Sequence, residues 1–105
     1  MWIFSQMGFL SIVRHIDKPN FLIVRSRFRG HIEKIFPKAF VEEDTNKDYR
    51  YRAELPAKEV AKAIGEMVLR IKYDNFKGSL DFFDREYLGC CIDVYNSVLM
   101  NSDWQ

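Results

Sequence analysis

Two pairs of arginines at i and i+2, Arg25/Arg27 and Arg50/Arg52, are the residues whose type and spacing point most directly to chemistry. In an extended strand, side chains two apart share a face, so each pair projects two guanidinium groups to one side. If the two strands are neighbours, the four groups form a grid of forked donors. Such a grid matches phosphate or carboxylate oxygens and stacks on bases or aromatic rings. Arg29, Lys34 and Lys38 follow the first pair and extend the basic stretch. The competing reading is that the arginines pair across strands with acidic neighbours such as Glu42 or Glu54, serving solubility and edge protection.

Other chemistry-bearing residues are sparse. His15 and His31 are the only histidines, and neither has a partner at a local spacing that would make it a base or nucleophile activator. Ser26 lies between two arginines, but strand alternation turns it to the opposite face. Glu42, Glu43 and Asp44 form an acidic run without the spaced ligands and glycine of a calcium loop, so a solvated turn is expected and no metal is implied. Cys90 and Cys91 are adjacent in a helical segment, where a disulfide between them would be strained and where no helix N-terminus lowers a thiol pKa. They read as free, buried small residues. Trp2 reads as packed in a hairpin, and Trp104, in a polar tail, reads as a contact for self-association or a partner.

The elements that must position these residues follow from periodicity and turn chemistry. Residues 2–5 and 9–14 form a hairpin about Gly8, and Asp17-Lys18-Pro19-Asn20 turns the chain into a third strand over 21–27. A short helix over 30–36 stops at Pro37. A strand over 39–42 leads through a polar turn to a strand over 49–55, whose alternation sends Tyr49, Tyr51, Ala53 and Leu55 one way and Arg50, Arg52 and Glu54 the other. Pro56 opens a helix with an apolar stripe through Ala57, Val60, Ala61, Ile64, Met67, Val68 and Ile71 and a Glu66–Arg70 ion pair. Residues 73–78 interrupt, with Phe76 as an anchor. A last helix over 80–100 carries Phe83, Tyr87, Cys91, Val94 and Val98 on one side, and 101–105 reads as a frayed tail.

The predicted order is βββαββαα, an α+β fold related to the ferredoxin-like arrangements. Four to five short antiparallel strands form one sheet with helices on one face, in a single domain spanning 1–105. The other sheet face is left for water, a partner or a second copy of the chain.

Composition sets the frame. At 105 residues and 48% hydrophobic content, the chain fills one core without metals or disulfides. The net charge of +1 is unevenly spread. Residues 1–52 hold ten Lys/Arg against six Asp/Glu and residues 53–105 hold six against nine, so the halves carry +4 and −3. A local basic surface of this kind recruits anionic partners. The absence of a signal-like start and of any long apolar run points to a cytoplasmic protein without a membrane span. The glycine-aromatic signature of RNA-recognition strands, a GXXG loop and a paired Cys/His finger are all missing from the sequence.

The strings Met1-Trp2-Ile3-Phe4-Ser5, Gly8-Phe9-Leu10-Ser11-Ile12-Val13, Val24-Arg25-Ser26-Arg27, Asp48-Tyr49-Arg50-Tyr51-Arg52 and Tyr73-Asp74-Asn75-Phe76-Lys77 resemble a family of small uncharacterised bacterial and phage-associated proteins, over roughly residues 1–80. The resemblance brings no activity and no functional residue. A phage or mobile-element setting implies an accessory or anti-defence protein that works by binding.

The expected function is a non-enzymatic, cofactor-free binding module. Its face, with Arg25, Arg27, Arg50 and Arg52 at the centre and Arg29 and Lys34 beside them, engages an anionic macromolecule, either nucleic acid or an acidic protein surface. The alternative is a homo-oligomeric interaction module, such as a homodimer, with the arginines at its rim. A third reading is an enzyme on a phosphorylated small molecule, with the arginines as clamp and Tyr49, Tyr51 or His31 nearby.

Overall fold

The first hairpin joins β1 (Trp2–Ser5) to β2 (Gly8–Arg14) through Gln6 and Met7. Two observations require a glycine at position 8. Its φ is 144°, and a Cβ there would lie 2.7 Å from the His31 ring. The turn 17–20 places Asn20 at φ 65°, a left-handed conformation that Asn tolerates better than most residues, and β3 (Phe21–Ser26) returns along β2. Helix α1 (His31–Ile35), β4 (Glu42–Glu43) and β5 (Tyr51–Pro56) follow. Helix α2 (Ala57–Leu69), a 3₁₀ turn at Lys77–Ser79 and helix α3 (Arg85–Ser102) complete the order. The computed structural model describes residues 1–102.

The fold is α+β, a five-stranded antiparallel sheet in the order β1-β2-β3-β5-β4 with three helices. Because β4 and β3 both run antiparallel to β5, they are parallel to each other with α1 as the crossover between them. That split β-α-β is the element shared with ferredoxin-like folds.

Strand alternation builds one core on one face of the sheet. Leu10 and Ile12 of β2, Val24 of β3, and Tyr51, Ala53 and Leu55 of β5 pack with Ile32 and Phe36 from the α1 region and Val60 of α2. Full burial of each large apolar side chain contributes on the order of 2 kcal/mol, so this cluster dominates the stability of the sheet. The other face carries Trp2, Phe4, Phe9, Ser11, Ile23, Arg25, Arg52 and Glu54, and neither α1 nor α2 packs there.

Several expectations shift. Helix α2 packs through Val60, with Ala63 and Ile64 beside the core, rather than along the whole predicted stripe; Ala61, Val68 and Ile71 are exposed. Its contact line passes the small Ala63, which fits close to the sheet. Arg70 is the C-cap of α2, its amide donating to Glu66 O at 3.1 Å, but among the described residues no Glu66–Arg70 ion pair forms. Pro56 ends β5 at ψ 137° as the N-cap, so Ala57 is the first helical residue.

The chain divides into two compact units, Met1–Lys72 and the segment from Tyr73 onward. In the second, the Asn75 side-chain carbonyl accepts the Gly78 amide at 3.2 Å and Phe76 packs on Tyr73. Leu80, Tyr87 and Cys91 are buried, and burial pushes the Cys91 thiol pKa up. Cys90 is exposed, and both cysteines are free. Phe83 is 91% exposed because it precedes α3, in a turn where its amide donates to Asp81, and so never takes the helical phase. Asn101 and Ser102 are the last residues of α3. Trp104 lies outside the described residues.

Candidate anion-binding face

Register decides which charges meet. Arg25 stands directly opposite Arg52 on the β3–β5 ladder, Arg25 is opposite Ser11 on β2, Ser11 is opposite Trp2 on β1, and Arg52 is opposite Glu42 on β4. One row, Trp2–Ser11–Arg25–Arg52–Glu42, therefore crosses the whole sheet on the face away from the core. Two guanidinium groups sit side by side at its centre. Like charges in directly opposed positions oppose folding, by about 0.2–1 kcal/mol.

Arg25 is held in place. Its Nη2 donates to Ser11 Oγ at 2.8 Å, and its guanidinium lies 4.4 Å from the centre of the Tyr49 ring. Tyr49 in turn stacks on Phe9, and its hydroxyl accepts the Trp2 indole N–H at 2.9 Å. This ring placement overturns the predicted alternation, which put Tyr49 on the core side with Tyr51. Pairing starts only at Tyr51, so residue 49 belongs to the loop and folds over the arginine face.

Arg52 is left free. Among the described residues it makes no ion pair and no side-chain hydrogen bond, and Nε of both Arg25 and Arg52 is buried without an acceptor. The acidic partners that a purely structural role would supply are elsewhere. Glu54 is taken by His15 and Lys18, and Glu42, though opposite Arg52, forms no ion pair with it. Beside Arg52 lies an open hollow of about 370 Å³ lined by Ile23, Phe40, Glu42, Lys47, Arg52 and Glu54.

The remaining predicted residues are dispersed. Arg27 and Arg50 are exposed just past the last registered pair, Ser26 and Tyr51, at the same end of the β3–β5 ladder. Arg29 is 3.7 Å from Glu43 and lies against the Tyr51 ring, whose side chain belongs to the core face. Lys34 is on α1, which covers that same core face. Arg25 and Arg52 are thus brought together, Arg27 and Arg50 flank them, and Arg29 and Lys34 stand apart.

Comparison of the chain with family models, curated proteins and solved structures returns no match. The function must be read from the site itself.

Both histidines are committed to the backbone. His15 Nδ1 accepts the amides of Asp17 and Lys18, each at 3.0 Å, which places the ring proton on Nε2, 2.7 Å from a Glu54 oxygen. A histidine beside a carboxylate resembles a catalytic dyad, but here the nitrogen that would take a substrate proton is already an acceptor for two amides. His31 Nδ1 accepts the Phe9 amide at 2.9 Å, and the ring stacks on Phe28. The Glu54 partner of His15, 39 residues away, has no local signal in the sequence. The hydrogen bonds from Lys18 and then His15 lower the Glu54 carboxyl pKa from its usual value. Among the described residues no cluster of three metal-ligating side chains occurs, and no helix is long and apolar enough to cross a membrane.

Proposed function

We propose that the chain is a non-enzymatic binding module whose Arg25–Arg52 row takes the anionic groups of a macromolecule, nucleic acid or an acidic protein surface. The observation that carries this reading is the direct opposition of two arginines that no carboxylate joins among the described residues, with Arg52 making no side-chain hydrogen bond. A phosphate or carboxylate lying across the row would accept from the accessible guanidinium nitrogens of both arginines and offset their repulsion. The backbone commitment of both histidines supports binding over turnover, as does the core-facing position of Tyr51.

The test is a calorimetric titration with inorganic polyphosphate and with poly-glutamate across a range of salt concentrations. Binding that weakens steeply with salt, and that Arg52→Gln abolishes while circular dichroism stays unchanged, is the expected result. Binding unaffected by Arg52→Gln removes the proposal.

A self-associating module is the second reading, favoured by the exposed apolar end of α2, where Val68 is 60% and Leu69 86% exposed. Light scattering separates the two. A dimer that Leu69→Lys dissociates, with no affinity for polyanions, favours self-association.

A further inference from the structure

An anion alone accounts for the arginines but not for the rings beside them. Trp2, at one end of the row, is 64% exposed, and Phe40, on the lip of the hollow next to Arg52, is 80% exposed. Water-facing rings of this size cost free energy that burial would recover, and these two share the sheet face of the arginines. Trp2 is also pre-positioned. Its indole N–H is bonded to Tyr49, and its ring packs edge-on against Phe4 and Phe9, so little side-chain freedom remains to be lost on binding.

We infer that the ligand of this face is single-stranded nucleic acid, with one nucleotide seated in the hollow beside Arg52. This inference rests on the anion-binding reading and narrows it. A single strand carries both phosphates and planar bases, and the face sets two adjacent cations between an exposed ring at either end. Phosphates meet Arg52, Arg25 and Lys47, and bases stack on Phe40 and Trp2. Base-on-ring stacking is the recurrent mode by which proteins hold unpaired strands. A duplex keeps its bases stacked on each other and offers these rings nothing. An acidic peptide offers charge but no flat face to stack on Phe40. The hollow, at about 370 Å³, falls within the size range of small-ligand sites and is open enough for a strand to pass.

Glu42 sharpens the assignment. It lines the hollow and has no ion-pair partner among the described residues, so there it would repel a phosphate but accept N–H groups from a base edge. Acidic side chains accept from the exocyclic amino group of cytosine. Thymine and uracil have no such group, so the hollow favours amino-bearing bases over them.

The experiment is fluorescence anisotropy at low salt with labelled oligo-dC and oligo-dT on the order of ten nucleotides long, a matching duplex, and unlabelled poly-glutamate as competitor. Oligo-dC is expected to bind more tightly than oligo-dT and the duplex. Phe40→Ala and Trp2→Ala are each expected to weaken it roughly tenfold, and Glu42→Gln to narrow the gap between dC and dT. Phe40 is exposed, so its removal leaves the fold intact. A duplex bound as tightly as the single strand, or Phe40→Ala without effect, overturns the single-strand assignment. If polyanion binding in that case still depends on Arg52, the anion-binding reading stands. If no oligonucleotide and no polyanion binds, both fall.

Discussion

The two ends of the β3–β5 ladder treat charge in opposite ways. At one end Glu54 receives Lys18 at 2.8 Å and His15 at 2.7 Å, and His15 closes the turn behind it through two backbone amides. Two residues along the same strand and on the same face, Arg52 meets Arg25, and no carboxylate joins them. The first cluster satisfies itself and holds the turn that delivers β3. In the second, Arg25 bonds Ser11 and lies on the Tyr49 ring, but among the described residues neither arginine has a carboxylate partner. Groups that complete each other internally serve the structure, whereas like charges left without a carboxylate are where the proposed ligand would add most.

Substitutions can break the comparison, and they differ in size and in sign. Gly8→Ala combines a disfavoured φ with a clash against His31. It is expected to cost about 3 kcal/mol in denaturant unfolding, because the committed His31 cannot move aside without releasing the Phe9 amide. His15→Ala leaves the Asp17 and Lys18 amides without their acceptor and is expected to cost about 2 kcal/mol by the same measurement. Arg52→Met acts in the opposite direction. It is expected to stabilise the free protein by about 0.5 kcal/mol at low salt, with the gain fading as salt screens the pair. Destabilisation by Arg52→Met would place the arginine pair in the structural class with His15.

The smallest effect concerns pH. Glu54 is held charged by Lys18 and then His15, so its pKa in the folded protein lies below that of the unfolded chain. Its contribution to stability is therefore present above the ordinary carboxylate range and is lost as pH falls through the lowered value. Glu54→Gln is expected to flatten the acid limb of a stability-against-pH curve.

Much of this arrangement is legible in the sequence where the period of two is unbroken. Tyr51–Leu55 alternates cleanly, and in Phe21–Ser26, whose first four residues are all apolar, the strand period of two still places Arg25 with Arg52 on the face opposite Val24 and Ala53. Alternation fails where pairing stops. Tyr49 precedes the first paired residue and swings over Arg25, and Arg27 and Arg50 lie beyond the last pair. Contacts distant in sequence leave no local trace. The His15–Glu54 bond, the orphaned Nε atoms and the hollow under Phe40 all arise from strand order, with β5 inserted between β3 and β4. In α2, Val60 and Ile64 of the predicted stripe do face the core, and Ala63, outside that stripe, packs beside them.

The central claim is that the Arg25–Arg52 row is completed by an anionic ligand. The most direct measurement is the thermal midpoint of the wild-type chain and of Arg52→Gln, each with and without a saturating single-stranded oligonucleotide or polyphosphate at low salt. A ligand that binds only the folded state raises the midpoint. The wild-type midpoint is predicted to rise and that of Arg52→Gln to stay where it was. Equal rises in both proteins, or no rise in either, would contradict the account.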